Sequence, residues 1–306
     1  MDLIPFSLRD RKTFQEYLKN SPRSLSNYSF ENNFIWGSLF ELRRAVVNNR
    51  LCIFFQDEVG IFMNLPPLGG LDKKAVGACF EAMEEINHNK DISRIENIEE
   101  GDLGFFKKNG FKVYEKAKEY IVTTANIAFL SGERFKHKRS LYNHFVKNYM
   151  VPEGCKARAA RFRDYQSQDR EAVMELYQKW MKGRMEKNSD PIYQAMLVDS
   201  FKVLSLMLAH SEELELTIKV VECEGRMIAL SSGFPISERL FCVNFEIADL
   251  EFRGVSQFVF SEFAKTLASY RELNIMDDSG IENIRQTKLS YRPSRIVPSY
   301  TAVLDS

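Results

Sequence analysis

Two groups of residues in the C-terminal half carry side chains suited to group transfer. The first is Glu246-x-Ala248-Asp249, at the end of an apolar run, with Gly254 shortly after it. Side chains alternate along a strand, so Phe241, Val243 and Phe245 would share one face and Cys242, Asn244, Glu246 and Ala248 the other. A carboxylate among polar neighbours at a strand end can take the proton from an attacking amine or hydroxyl, as acyl transfer requires. The plainer alternative is a solvated strand end followed by a loop acid. The second group is Asp278-x-Gly280 with Arg285 and Lys288. Arg285 and Lys288 are three residues apart and would share a helix face. Such a pair suits a phosphate or a carboxylate, which arginine can hold bidentately. Asp278 also suits capping the helix that follows it, so a structural and a catalytic role both stay open.

A third feature is basic. Residues 134–163 hold nine Lys and Arg against one acid, Glu153, in a chain whose 42 basic and 42 acidic residues balance. Lys136, Lys138 and Arg139 open a helical pattern in which Phe135, Tyr142, Phe145 and Tyr149 form the apolar side. Lys156, Arg158, Arg161 and Arg163 follow. A surplus of one sign suits an anionic partner: tRNA, the phosphates of coenzyme A, or peripheral contact with an anionic lipid surface. A basic brace between domains, paired with acids elsewhere, is the alternative. For a cofactor pyrophosphate, a glycine-rich turn at a helix start would be expected. The chain offers only Arg253-Gly254-Val255-Ser256-Gln257 and Gly69-Gly70. Neither is a convincing pyrophosphate loop, which weighs against an acyl-coenzyme A donor. No covalently bound cofactor is expected.

The elements that must position these residues follow from periodicity. A helix is expected over residues 31–44, with Phe34, Leu39, Leu42 and Ala45 on a broad face, and a hairpin over 51–65. A helix over 71–89, a strand near 92–98, a short helix near 102–108 and strands over 110–114 and 119–129 complete the first half. The second half reads as helices at 167–184 and 190–210, a hairpin over 216–234, a strand over 239–249 and a helix over 255–270. A strand near 273–277, a helix near 281–289 and a final strand near 297–304 follow. Asp102-x-Gly104 and Asp278-x-Gly280 each precede a short helix, which suggests an internal duplication. The expected class is α/β with mixed α+β sheets, in two domains: 1–130, and 158–306 carrying the site, joined by a basic helix and linker over 131–157.

Other chemistries find no pattern. GxxxxGK[ST], GxGxxG, GxSxG and HExxH are absent from the sequence, and four scattered histidines suggest no metal site. Five scattered cysteines without a CxxC pair predict reduced, core-packed thiols in a cytoplasmic protein. The N-terminus does not read as a signal peptide, and no run approaches a membrane-spanning length.

Two sets of residues carry a resemblance. Phe105-Phe106-Lys107-Lys108-Asn109-Gly110-Phe111 is similar to the aromatic-x-lysine-x-glycine-phenylalanine segment of GNAT-type acyltransferases. Lys136, Lys138-Arg139, Glu246-x-Ala248-Asp249, Gly254, Asn274-x-x-x-Asp278-x-Gly280, Arg285, Lys288 and Pro293 resemble an uncharacterised bacterial family. That family is related to the C-terminal domain of phosphatidylglycerol lysyltransferases. Its pattern prefers Glu where Met276 stands here. The resemblance implies a tandem GNAT-like fold and kinship to enzymes that move an aminoacyl group from tRNA to an amine or hydroxyl. On it, Glu246 and Asp278 are the catalytic candidates. Arg285, Lys288, Asp249, Gly254, Gly280, Lys138 and Arg139 are the candidates for holding substrate or anion. A non-catalytic tRNA- or anion-binding protein is the reading from another class.

Overall fold

In the computed structural model, which describes residues 1–19, 21, 23–150 and 159–305, one succession of elements occurs twice. The first half runs β1 (Ile4–Pro5), α1 (Arg11–Leu18), α2 (Phe30–Trp36), β2 (Glu41–Val47), β3 (Arg50–Gln56), β4 (Ile61–Met63), α3 (Lys73–Ile86), β5 (Ile95–Ile98), α4 (Leu103–Lys108) and β6 (Phe111–Thr123). Two helices follow, α5 (Thr124–Phe129) and α6 (Lys136–Tyr149). The second half runs β7 (Arg161–Asp164), α7 (Arg170–Met185), α8 (Pro191–Ala209), β8 (Thr217–Cys223), β9 (Arg226–Pro235), β10 (Leu240–Ala248), α9 (Val255–Thr266), β11 (Glu272–Asn274), α10 (Glu282–Ser290) and β12 (Arg295–Leu304). Both halves therefore read strand, two helices, three strands, helix, strand, helix, strand. Asp102 and Asp278 precede α4 and α10, which hold the same place in this order.

The duplication also appears at residue level, in side chains that no sequence motif marks. Asp10 accepts the Ser7 N–H at 2.8 Å ahead of α1, and Asp169 accepts the Gln166 N–H at 2.8 Å ahead of α7. Each carboxylate is also paired by an arginine, Arg44 at 2.7 Å and Arg163 at 2.6 Å. Each thus closes a capping turn and neutralises a buried acid.

Two compact units divide the chain, but not at the expected linker. Unit 1 is Met1–Tyr120 with Met276–Lys288 and Arg295–Ser306, and unit 2 is Ile121–Ile275 with Leu289–Ser294. The cause is strand pairing. Within unit 1, β12 pairs antiparallel with β5, Tyr300 opposite Ile98 and Ala302 opposite Ile95. Within unit 2, the end of β6 pairs antiparallel with β11, Ile121 opposite Asn274 and Thr123 opposite Glu272. Each unit thus takes its closing strand from the other half of the sequence. The halves 1–130 and 158–306 are repeats of element order rather than the compact units. Of the expected linker, residues 151–157 lie outside the described residues, as does the neighbouring Arg158.

The strands of unit 1 lie in the order β1-β2-β3-β4-β5-β12-β6, and those of unit 2 in the order β6-β11-β10-β9-β8-β7. In unit 2, β10 pairs parallel with β11 only from Leu240 to Cys242, then continues to Ala248. The end that carries Glu246 lies past this pairing. The core of unit 1 gathers Phe54, Met63, Phe80, Ile95, Phe106 and Ala302, and that of unit 2 Phe145, Val221, Ala248, Val255 and Phe258. Cys52, Cys79, Cys223 and Cys242 are buried thiols outside any disulfide, and Cys155 lies outside the described residues.

Two local expectations are corrected. Residues 31–44 are not one helix: α2 ends at Trp36, and β2 pairs with β3 from Glu41 to Val47. Leu42 and Ala45 are buried on a strand, although their spacing also fits a helix. The strands expected over 110–114 and 119–129 are one strand, β6, followed by the short helix α5, whose last turn closes on Leu130 at φ 46°.

Candidate functional site

In unit 2, the pairing of β10 with β9 sets Glu246 opposite Ser231, so the two side chains share a face. Ser256, in the first turn of α9, donates from Oγ to Glu246 Oε1 at 3.0 Å. Lys138, in the first turn of α6, places Nζ 3.6 Å from the centroid of the Tyr291 ring, within cation–π range. Tyr291 is buried and meets Phe260 edge to face at 5.0 Å. Burial pushes the Lys138 pKa down to about 8, and the negative charge of Glu246 only partly opposes this. The phenol of Tyr291 is pushed well above its ordinary range, first by burial and then by Glu246. Ser231 is fully buried, and its hydroxyl has no hydrogen-bond partner. The cluster therefore combines a carboxylate, a weakened ammonium, two hydroxyls and an aromatic wall.

In unit 1, Tyr120 donates its phenol to Asp278 Oδ2 and its backbone N–H to Met276 O at 3.3 Å. Burial first, and then Asp278, push the Tyr120 pKa up to about 12, while Arg285, also hydrogen-bonded to Tyr120, acts in the other direction. Asp278 Oδ1 accepts the Gly280 N–H at 3.0 Å, and its carbonyl accepts the Ile281 N–H at 2.9 Å. The turn is tight, with Ser279 at φ 52° and Gly280 at φ 71°, and glycine suits the second position. Asp278 thus closes a turn ahead of α10 rather than capping it, since its carboxylate takes the Gly280 N–H and the helix begins at Glu282. Arg285, on α10, also lies 3.6 Å from Glu282 on an exposed face, and Lys288 is half-buried on the same helix.

The residues grouped by sequence as one site therefore belong to two units. Glu246 and Lys138 cluster in unit 2, and Asp278, Gly280, Arg285 and Lys288 lie in unit 1. The remaining candidates have structural work. Asp249 accepts from Lys179 Nζ at 2.8 Å and from the Glu251 N–H at 3.1 Å, which fixes the turn after β10. Arg139 donates to the carbonyls of Leu130 at 2.5 Å and Gly132 at 3.0 Å, holding the end of α5. Gly254 sits at φ +90°, and a Cβ there would lie 2.1 Å from Leu141 O on α6, so close helix packing requires glycine. In the basic stretch, Lys136 pairs with Glu133, and Arg163 with Asp169 and Glu222. Arg163 braces the start of α7, Lys136 makes only an exposed local pair, and Lys156 and Arg158 lie outside the described residues. No group of metal-ligating side chains occurs among the described residues.

Sequence reasoning missed Tyr120, Tyr291, Ser231 and Ser256 as members of these clusters. Ser256 was within reach, because it lies in the segment after Gly254 at the start of a helix. Tyr291 meets Lys138 only through the tertiary fold, and nothing local marks it.

The profile of the family described as phosphatidylglycerol lysyltransferase, C-terminal, matches residues 18–303. The chain belongs to this family. Among solved structures, a conserved protein of unknown function from Bacteroides thetaiotaomicron is 24% identical, with both chains covered in full and a TM-score of 0.85. The L-PGS structure from Bacillus licheniformis is 16% identical over 96% of this chain and 92% of that one, with a TM-score of 0.63. A tandem GNAT protein from the clavulanic acid biosynthesis pathway is 10% identical over 98% of this chain and 97% of that one, with a TM-score of 0.53. The fold is accordingly the tandem GNAT-like α/β fold. The comparison with curated proteins gives no match.

Proposed function

We propose that this member of the lysyltransferase C-terminal family is a transferase that moves an aminoacyl group from aminoacyl-tRNA to an amine or hydroxyl acceptor. Glu246 is the general base. It lies past the β10–β11 pairing, oriented by Ser256 and electrostatically coupled to Lys138. That arrangement is the observation that carries the reading. The acceptor nitrogen or oxygen attacks the ester carbonyl carbon, and Glu246 takes the proton it loses. The new C–N or C–O bond forms and the ester C–O bond to the tRNA breaks. The proton leaves on the released ribose hydroxyl. The Lys138 ammonium, held against Tyr291, supplies positive charge beside the reacting centre. In unit 1, the Tyr120 phenol bonds both Asp278 and Arg285, a separate cluster whose arginine suits an anion.

An acyl-coenzyme A donor is the second reading, favoured by the GNAT-like fold. Against it, the glycine ahead of α9 is accounted for by its packing on α6. Native mass spectrometry of the purified protein separates the donors by co-purified mass. With charged tRNA as donor, Glu246→Gln should slow transfer by about 10²–10⁴-fold, the range for general-base catalysis, while leaving tRNA retention on filters near the parent value. Unchanged turnover in Glu246→Gln would remove the base from this assignment.

A further inference from the structure

Two groups around Glu246 have hydrogen-bonding capacity that the fold leaves unused. The Lys138 ammonium lies 3.6 Å from the centroid of the Tyr291 ring and makes no hydrogen bond or ion pair among the described residues. It carries three N–H donors, and burial with no acceptor at hand weakens its hold on the proton. Ser231, opposite Glu246 on β9, is fully buried with an unpartnered hydroxyl. Buried polar groups are normally paired, so two such groups around one carboxylate point to a ligand that brings the missing partners. Lys138, Glu246 and Ser256 keep part of their surface in solvent, so a small solute can reach them, and all of these residues belong to unit 2. Elsewhere in unit 2, α8 is the one helix among the described residues long and apolar enough to cross a membrane, which corrects the expectation that no segment approaches that length. Tyr193, Leu197, Val203, Leu204, Met207 and Leu208 on it are buried, so length and composition alone do not make the acceptor a lipid.

Charge sets the class of that ligand. Glu246 attracts a cation and Lys138 an anion, and the two charges are close enough to act on each other. A phosphate would suit Lys138 but meet the Glu246 carboxylate as a like charge. A plain amine or hydroxyl would suit Glu246 and leave the ammonium unpaired. A zwitterion answers both, and in a free α-amino acid the ammonium and the carboxylate hang from one carbon. We propose that this cluster binds a free α-amino acid as the acceptor, its carboxylate on Lys138, its amino group at Glu246 and the Ser231 hydroxyl as a further hydrogen-bond partner. The inference rests on the transferase reading and names the acceptor of the same site. The α-ammonium first loses one proton to Glu246, which releases it to solvent. The amine nitrogen then attacks the ester carbonyl carbon of the aminoacyl-tRNA. The C–N bond forms, the ester C–O bond breaks, and a second proton from the nitrogen passes through Glu246 to the ribose hydroxyl. The products are a dipeptide and deacylated tRNA.

The test is a ligand-detected NMR titration of the full chain, without tRNA, using L-alanine, L-leucine, L-glutamate and L-lysine. At least one should bind saturably. Its methyl ester, which lacks the carboxylate, and its N-acetyl derivative, which lacks the ammonium, should each bind at least about tenfold more weakly. In Lys138→Met the amino acid should fall to the affinity of its ester, while the ester changes little. Lys138→Arg keeps the charge and should keep the preference for the acid, which guards against a folding defect. Glu246→Gln should weaken the amino acid more than its N-acetyl form. The proposal is overturned if none of the four binds, or if acid and ester bind alike. It is also overturned if inorganic phosphate binds more tightly than every amino acid and loses that binding in Lys138→Met, because the ammonium would then serve the donor. The transfer reading is judged apart. An amino acid bound with both preferences, but no dipeptide formed from charged tRNA, keeps the amino-acid site and removes the transfer reaction. Glu246-dependent transfer with no amino acid bound keeps the transferase and removes this acceptor.

Discussion

Lys138 stands under opposed influences, burial lowering its pKa to about 8 and Glu246 pulling the other way. An unfolded lysine titrates at about 10.4. Between about pH 8 and that value the unfolded chain holds a proton that the folded chain has released, so stability should rise with pH across this window. In Lys138→Met the rise should be smaller, and the variant should match or exceed the parent at pH 7 and lose that advantage by pH 10. Urea midpoints at three pH values would show it, and parallel pH profiles for parent and variant would remove Lys138 as the cause. Transfer that uses the ammonium should decline above about pH 8 in the parent. A second expectation concerns Tyr120, whose buried phenol bonds Asp278. Tyr120→Phe leaves Asp278 without that donor and should cost about 1–3 kcal/mol in denaturant unfolding. At this scale the sequence was informative about acids and cations, whose chemistry is intrinsic. It was silent about Tyr291 and Tyr120, whose importance arises only from what packs against them.

Among the elements, the start of α9 illustrates how a motif residue can be structural. Gly254 lies where a phosphate-binding turn would need a glycine, but α6 packs so closely that a Cβ would lie 2.1 Å from Leu141 O. A backbone carbonyl cannot swing aside as a side-chain tip can. Gly254→Ala combines this overlap with a positive φ and should cost about 2–5 kcal/mol. Gly132 has a similar φ of +82° but open space around it, so Gly132→Ala should cost only about 1–2 kcal/mol. Chemical denaturation of the two variants measures the difference, and equal costs would show that α6 yields. Most helices and strands were legible because their apolar period was long, as in α3, α8 and β9. The failures at α2–β2 and at β6–α5 came where short apolar runs fit both periods and only strand pairing decides.

Across the whole chain, the repeated order of elements was legible, but the partition into compact units was not, because pairing between strands distant in sequence leaves no local trace. Deleting residues 295–306 tests the partition. If the sequence halves were the folding units, loss of the last strand would damage the half that contains β8, β9 and β10. The observed ladder assigns β12 to unit 1, where Tyr300 and Ala302 pair with Ile98 and Ile95 and Ala302 fills the core beside Met63 and Phe106. The deletion should therefore raise hydrogen exchange in Ile95–Ile98 and α3, while Thr217–Cys223 and Leu240–Ala248 keep their protection. The reciprocal case is the end of β6, which belongs to unit 2. Val122→Pro removes a ladder donor and forces the backbone at that position, so it should expose β11 and β10 before β2 and β3. Loss of protection in the opposite units for both variants would return the closing strands to their own sequence halves, and with them the boundary near 131–157.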